Sequence, residues 1–299
     1  MDGPHLVCEG PAIGEGPVWC VPREGHDDGD GTLVFTGSAA GVLSRVQPAT
    51  GVVELVADTA GGANGAAAAS DGGFLVTQNG GIDFDAIGFP GMPPYRPVPS
   101  GLQRVAPDGT VSYVVSGTTQ KPNDLCVHAD GTVFFTDPPA PRPTGPPTAR
   151  IQKLPPGGQL EVVADGFFYA NGIILEPDGE SLVIVEAGEA SGTPCFVRLR
   201  ADGSREPFAF GRHGDGGALD ADGRIYMAGG GPIVSIYEAD GTLVEELHLP
   251  EGVRITTNLC FGGADLRTLF VTDLGAPCHV FAWTGMPTAG LPLHAWPVA

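Results

Sequence analysis

Short apolar segments recur along the chain, and turn residues separate them. Residues 132–136, 181–185 and 224–227 are apolar or β-branched runs, and each closely follows an Asp-Gly pair. Asp-Gly between such runs is a hairpin signal, because glycine readily adopts the positive φ that a tight turn requires. No segment shows a sustained helical period, so the pattern predicts an all-β chain.

A second regularity links the turns into a repeat. Five Asn or Asp residues each lie seven positions before a turn aspartate, and Glu15 in Gly14-Glu15-Gly16 marks a comparable first unit. Repeats of roughly 40–50 residues with four short strands each are typical of β-propeller blades. We therefore predict that residues 1–299 form a single domain, a six-bladed β-propeller. The six repeat positions are Glu15, Asn64, Asn123, Asn171, Asp215 and Asn258, with separations of 49, 59, 48, 44 and 43 residues.

The longest separation contains a Pro-rich insertion at residues 89–99. We expect this insertion to be an irregular loop, since lengthening a loop costs little chain entropy. The high content of glycine and proline, 47 and 29 residues, fits a fold with many turns.

The charge and the cysteine content restrict the possible binding partners and the expected cellular compartment. The formal net charge is -20 and the chain has two lysines, Lys121 and Lys153, so no basic run could follow a nucleic-acid backbone. An anionic membrane surface would also repel the chain, and no apolar run approaches the roughly 20 residues of a spanning helix. The six cysteines include no C-x-x-C pair and the N-terminus does not resemble a signal peptide. These features predict a cytoplasmic protein with no nucleic-acid partner and no membrane association.

Equivalent positions on inner propeller strands converge on the central channel. The six repeat positions should therefore form a ring of two carboxylates and four amide side chains. Such an oxygen-rich ring suits calcium, magnesium or manganese, which predicts a metal site in the channel. The competing interpretation is structural, since Asn and Asp often begin strands because their side chains bind turn backbone groups.

Several short motifs now carry a family resemblance across residues 10–275. The chain resembles the regucalcin/gluconolactonase family, also described as senescence-marker-protein-like or LRE-like. Each motif is weak alone, and their order and spacing make the resemblance specific. The motifs are Gly14-Glu15-Gly16-Pro17-Val18-Trp19, Pro122-Asn123-Asp124, Phe135-Thr136-Asp137-Pro138, Asn171-Gly172 with Pro177-Asp178-Gly179, and Asp215-Gly216 with Asp220-Ala221-Asp222-Gly223.

The resemblance implies a six-bladed propeller with one divalent cation in its channel. The residues that match the family's metal ligands are Glu15, Asn171 and Asp215. The cation is expected to be Ca²⁺, with Zn²⁺, Mn²⁺ or Mg²⁺ as alternatives. Asn123 matches a family residue that contacts substrate or metal. Lys121 stands where the family has arginine, and its point charge cannot form the bidentate fork of a guanidinium.

The expected reaction is hydrolysis of a lactone of sugar type or a related small molecule. A divalent cation can polarise the lactone carbonyl and activate a water molecule. Asp215 would serve as metal ligand and general base, while Lys121 and Asn123 orient the substrate and stabilise the developing oxyanion. The remaining predicted substrate contacts are Asn64, His213 and Tyr169. For His213, packing within its loop is the competing interpretation.

Two alternatives stay open at this point. The first keeps the propeller and the metal but acts on a bulkier ester, a phosphotriester or a natural-product intermediate, which the lysine at position 121 would allow. The second is a non-enzymatic regulator that binds a divalent cation without turnover.

Overall fold

The computed structural model describes residues 1–22, 29–139, 146–187, 194–210 and 213–298. Within these ranges the regular elements are 24 β-strands, arranged as six antiparallel four-stranded sheets. The first strands of neighbouring sheets contact one another around a common axis. The fold is an all-β, six-bladed propeller, which confirms the architecture predicted from the repeat.

Five blades are continuous in sequence, and the sixth combines both ends of the chain. Blade 1 contains β2 (Gly14–Cys20), β3 (Thr32–Gly37), β4 (Val42–Gln47) and β5 (Val52–Asp58). Blade 2 contains β6 (Ala63–Ala68), β7 (Phe74–Gln78), β8 (Gly101–Val105) and β9 (Val111–Ser116). Blade 3 contains β10 (Leu125–Val127), β11 (Val133–Asp137), β12 (Ala149–Leu154) and β13 (Glu161–Phe167).

The second half of the chain repeats this arrangement. Blade 4 contains β14 (Ala170–Leu175), β15 (Leu182–Glu186), β16 (Pro194–Leu199) and β17 (Arg205–Phe210). Blade 5 contains β18 (Gly217–Leu219), β19 (Ile225–Ala228), β20 (Ile233–Tyr237) and β21 (Leu243–His248). Blade 6 contains β22 (Thr256–Gly262), β23 (Thr268–Asp273), β24 (Cys278–Thr284) and, as its outermost strand, β1 (Asp2–Gly10).

The N-terminal strand closes the propeller. Strand β1 runs antiparallel to β24, with His5 opposite Ala282 and Cys8 opposite Val280. Blade 6 therefore needs both ends of the chain, and the ring is closed by antiparallel strand pairing, with two register shifts, rather than by side-chain contacts alone.

The apolar core lies between the blades. Side chains alternate along a strand, so each strand presents one row to the preceding blade and one to the next. The described residues form six buried apolar clusters, one in each gap between neighbouring blades. Leu33 and Phe35 of blade 1, for example, pack against Phe270 and Val280 of blade 6. This packing leaves the inner edges of the first strands facing the channel.

Four first strands carry a register shift where the repeat predicts a ring residue. The shifts lie between Glu15 and Val18 and at the corresponding places in blades 2, 4 and 6. A bulge of this kind bends a strand and re-aims a side chain. At Gly16, φ is +46° and an added β-carbon would clash with the Asn64 carbonyl, so glycine is required beside Glu15.

The Pro-rich insertion has no regular strand and lies between β7 and β8, as expected. It is anchored to blade 1, because the Arg96 guanidinium donates to both Asp58 carboxylate oxygens at 2.8 and 3.0 Å. The described residues contain no helix with the length and apolarity that crossing a bilayer would require.

Candidate active site in the propeller channel

A threonine in the second strand of one blade fixes the ring residue of the next blade. Thr36 donates to the Asn64 carbonyl at 2.7 Å, and Thr136 donates to the Asn171 carbonyl at 2.6 Å. Thr77 makes the same contact with Asn123. These hydroxyls are fully buried, so the bonds that place the amide side chains at the channel are shielded from water.

An amide and a carboxylate from opposite blades meet across the channel. The Asn258 side-chain nitrogen, from blade 6, donates to the two carboxylate oxygens of Asp124, from blade 3, at 2.9 and 3.0 Å. The same nitrogen lies 3.3 Å from a Glu15 carboxylate oxygen. All three side chains are buried. Blades 1, 3 and 6 are therefore tied together at one level of the channel.

The carboxylates at this level repel one another. Burial raises the pKa of Glu15 well above its usual value, and the charges of Asp215 and Asp124 raise it further. Burial and then the Asp124 charge raise the pKa of Asp215, which a hydrogen bond with the Asn171 side chain partly offsets. Burial raises the pKa of Asp124 to about 7, although the hydrogen bond from the Asn258 side chain acts to lower it. Every charge that acts on Glu15 and Asp215 is negative, so this level of the channel favours a cation.

Three amide oxygens in the channel lack partners. The side-chain oxygens of Asn64, Asn123 and Asn171 are buried and accept no hydrogen bond from the protein. A buried acceptor without a partner is costly, and such atoms commonly face a ligand, a water molecule or an ion. Together with the carboxylates, these oxygens form the kind of hard donor set that divalent cations such as Ca²⁺ prefer.

Within the part of the chain that the structure describes, no three His, Cys, Asp or Glu side chains form a group that could hold a metal ion. The predicted ligand set, Glu15, Asn171 and Asp215, contains only two carboxylates and takes its third oxygen from an amide. The chemistry of the donor set therefore fits a cation, while the metal site itself stays a prediction.

Lys121 lies at the rim of the channel, away from the carboxylates. Its ammonium group donates to the backbone carbonyls of Asn79 at 3.3 Å and Gly81 at 3.1 Å. Burial lowers its pKa, and no nearby carboxylate raises it again. The side chain is half-buried and is held against the blade 2 rim by neutral acceptors only, so its charge is available to a substrate.

The other predicted substrate contacts divide into two groups. Tyr169 faces the ring, since its pKa is raised by burial and by the charges of Asp215, Glu15 and Asp124, and the Asn123 side chain hydrogen-bonds to it. Its hydroxyl consequently keeps its proton and can donate to a substrate. His213 is exposed, two residues before Asp215, and the structure gives it no contact with the ring.

Sequence reasoning assigned no role to Asp124 or to the threonines. Asp124 belongs to the Pro122-Asn123-Asp124 motif. Its position directly after Asn123 gave no indication that both side chains reach the channel. The threonines had a readable signal, because Thr36, Thr77, Thr136 and Thr272 occupy the same place in the second strands of four blades.

This fold and this ring define a class: a β-propeller whose channel is lined by acidic and amide side chains. The family model described as "SMP-30/Gluconolactonase/LRE-like region" matches residues 13–275. The chain belongs to the SMP-30/gluconolactonase/LRE-like family, as its motifs suggested.

The chain is similar in sequence to two curated relatives. A gluconolactonase of Zymomonas mobilis is 26% identical over 230 residues, which cover 59% of this chain and 64% of that protein. The pentonolactonase XacC of Haloferax volcanii is 27% identical over 287 residues, covering 93% of this chain and 87% of that protein. The chain thus spans just under two thirds of the length of the first relative.

Solved structures show the same fold. A gluconolactonase from Xanthomonas campestris superposes with a TM-score of 0.71 at 23% identity, covering 93% of this chain and 88% of that chain. A calcium-binding protein, regucalcin, from Agrobacterium tumefaciens superposes with a TM-score of 0.76 at 18% identity, covering 99% and 98% of the two chains.

Proposed function

We propose that this protein is a lactonase that hydrolyses a sugar-type lactone with the help of one divalent cation held in the channel. The observation that carries the proposal is the ring itself: mutually repelling carboxylates beside unpartnered amide oxygens, open to a rim where backbone carbonyls hold a lysine. The names of the two curated relatives, a gluconolactonase and a pentonolactonase, support the substrate class.

Glu15, Asn171 and Asp215 would hold the cation, with the Asn64 and Asn123 oxygens beside them. The oxygen-only donor set favours Ca²⁺, and Mg²⁺, Mn²⁺ or Zn²⁺ are alternatives. When bound, the cation supplies Lewis-acid polarisation of the lactone carbonyl. Its positive charge would also offset the repulsion that raises the pKa values of Glu15 and Asp215.

Asp215 is the proposed general base. It is the carboxylate of the ring that stays partly exposed, so a water molecule can reach it. Its carboxylate would accept a proton as that water attacks the lactone carbonyl carbon. The bond between the carbonyl carbon and the ring oxygen then breaks, and the proton passes to the departing oxygen. The product is an open-chain hydroxy acid.

Three neighbouring groups would orient the lactone. The Lys121 ammonium can donate to the carbonyl oxygen as negative charge develops there. The Tyr169 hydroxyl, which keeps its proton, donates a hydrogen bond to the substrate. The unpartnered Asn123 side-chain oxygen accepts a hydrogen bond from a substrate hydroxyl. His213, exposed on the loop before Asp215, is a further contact for a substrate that extends out of the channel.

A substrate panel tests the proposal. Purified protein is supplied with Ca²⁺ and assayed with glucono-δ-lactone, a pentonolactone, a bulkier aryl ester and a phosphotriester. We expect turnover of the two sugar lactones and little of the others. Turnover confined to the aryl ester or phosphotriester would assign the enzyme a different substrate class. Cation binding without turnover of any compound would make the protein a binding module rather than an enzyme.

A further inference from the structure

A large cavity lies on the far side of the ring from Lys121 and Tyr169. Its volume is about 810 Å³, within the range of sites that bind small molecules. Asp124 and Asn258 lie at its inner end, so their hydrogen bonds form the partition between the cavity and the active-site rim. We call this cavity the lower chamber.

The walls of the lower chamber are mainly apolar. They are formed by the first strands beyond the ring residues, where small and aliphatic side chains follow one another, including the run Ala66–Ala69. Leu125, Leu219 and Phe261 contribute from blades 3, 5 and 6. Such a lining favours a ligand with an apolar body, because burying that body removes it from water.

A C-terminal strap crosses the mouth of the lower chamber. The Leu291 nitrogen donates to the Leu219 carbonyl of blade 5 at 3.1 Å, and the Trp296 nitrogen donates to the Ala68 carbonyl of blade 2 at 2.8 Å. Blades 2 and 5 are opposite one another in the ring, so the residues between these two anchors span the mouth. The strap therefore covers part of this mouth.

Arg45 supplies the lower chamber with a positive charge. It lines the chamber wall from blade 1, and its Nε atom is buried without a hydrogen-bond partner. Trp19, from the same blade, also lines the chamber and has a buried indole nitrogen without a partner. Both atoms are donors, so a ligand that satisfies either one must bring an acceptor.

The corresponding basic residues of the next three blades have acidic partners. Arg45 is opposite Val34 in the ladder, and Arg104, Lys153 and Arg198 hold the same place in blades 2, 3 and 4. Arg104 pairs with Asp71, Lys153 with Glu161 at 3.2 Å, and Arg198 with Glu176 at 2.8 Å. Among the described residues, no carboxylate lies within ion-pair distance of Arg45.

The other acidic and histidine side chains that line the lower chamber are Glu176, His128, Asp124 and His294, and His294 is exposed on the C-terminal strap. Glu176 is paired with Arg198, and His128 lies 2.7 Å from Asp130. The inner end carries Asp124, which repels negative charge. A ligand with an anionic group would thus place that group at Arg45 and direct its apolar end along the chamber.

We propose that the lower chamber binds a small carboxylate with an apolar tail, with Arg45 as the anion contact. This site is separate from the proposed lactonase site and does not depend on that activity. The probes are octanoate and 1-octanol, which share a tail length and differ in charge.

Calorimetric titration of the full-length protein tests the proposal. We expect saturable binding of octanoate about tenfold tighter than that of 1-octanol, a difference of about 1.4 kcal/mol. Arg45→Met should remove this preference while retaining the affinity for 1-octanol. Arg104→Met, the equivalent change in blade 2, should leave both affinities unchanged. Absence of saturable octanoate binding, or a preference that survives in Arg45→Met, would overturn the proposal.

Two variants that fill the lower chamber test where the apolar tail of the ligand binds. Ala218→Phe and Cys126→Phe place a ring in the chamber from blades 5 and 3. At least one should fold, as judged by its melting transition, and should weaken octanoate and 1-octanol about tenfold or more, equivalent to at least about 1.4 kcal/mol. Unchanged octanoate binding in a folded variant of this kind would show that the tail lies elsewhere and would contradict the proposal.

Discussion

The Asn258 side-chain nitrogen donates to both carboxylate oxygens of Asp124 across the propeller channel, at 2.9 and 3.0 Å. The two residues belong to blades 6 and 3, which are opposite one another, so this contact joins the two halves of the ring. It also holds a carboxylate whose pKa is raised to about 7 by burial. The relationship links the stability of the propeller to the charge in its channel.

Replacing Asn258 by Asp should destabilise the metal-free protein at pH 8. The change removes the donor and places another negative charge against Asp124 and Glu15, which is strongly unfavourable at a buried position. Asn258→Ala removes this donor and the side-chain acceptor of the Leu259 amide, adds no charge, and should cost less, about 1–3 kcal/mol. Melting curves of both variants check this. A smaller loss for Asn258→Asp than for Asn258→Ala would contradict the proposed repulsion.

The stability of the metal-free protein should depend on pH through Asp124. Its pKa is raised in the folded state, so the folded protein binds the proton more tightly than the unfolded chain. The destabilisation that ionised Asp124 causes is therefore complete above pH 7. It decreases as the pH falls through 7 towards the pKa of an aspartate in the unfolded chain, near 4. We expect Asp124→Asn to flatten the difference in melting temperature between pH 8 and pH 5. A slope that is unchanged in this variant would assign the dependence to other groups.

The effect of Glu15→Gln on the melting temperature should change sign when the cation is added. In metal-free protein the substitution removes one of the mutually repelling buried charges, so the melting temperature should rise. With Ca²⁺ present, the wild type gains the stabilisation that a bound ligand supplies, and the variant loses most of it. Melting curves with chelator and with Ca²⁺ test both arms. Equal stabilisation of the variant and the wild type by Ca²⁺ would exclude Glu15 as a ligand.

Lys121→Met should lower kcat/KM for a sugar lactone by roughly 10²-fold, the effect typical of losing one oxyanion donor. Lys121 donates only to neutral backbone carbonyls, so its removal should leave the fold intact. Lys153→Met is the matched control, because Lys153 is the chain's other lysine and pairs with Glu161 on the surface. A comparable loss of activity in Lys153→Met would contradict the role assigned to Lys121.

Thr136→Val should destabilise the protein by about 2 kcal/mol, since it leaves the Asn171 carbonyl and the Asp124 amide without their buried partner. Thr136→Ser keeps the hydroxyl and should retain most of the stability. Chemical denaturation of both variants checks the difference. A larger loss in Thr136→Ser, which lacks only the methyl group, than in Thr136→Val would mean that the methyl group, and not the hydrogen bonds, sustains this position.

Much of the fold was predictable because its signal is periodic. The spacing from Glu15 to Asn258 indicated six blades, since one strand and turn pattern recurs often enough to outweigh local ambiguity. Closure of the ring by β1 was not predicted, because strand order within a sheet depends on which edge stays free at the end of folding and leaves no short-range pattern.

The site was predictable only in outline. Equivalence within the repeat predicted six residues that face the channel, but the hydrogen bond between Asn258 and Asp124 depends on the channel diameter and on rotamers. The same applies to Lys121, whose side chain lies against the Asn79 and Gly81 carbonyls rather than over the ring. Sequence spacing specifies which residues share a level of the channel, and packing decides where each side chain points.

The most direct test of the central claim is lactone hydrolysis before and after removal of divalent cations. Protein is stripped with chelator, metal removal is verified by elemental analysis, and glucono-δ-lactone turnover is measured before and after addition of Ca²⁺, with Asp215→Asn as a parallel sample. We expect stripped protein to be inactive, Ca²⁺ to restore turnover, and Asp215→Asn to stay inactive in both states. Full turnover by verified metal-free protein would contradict the account.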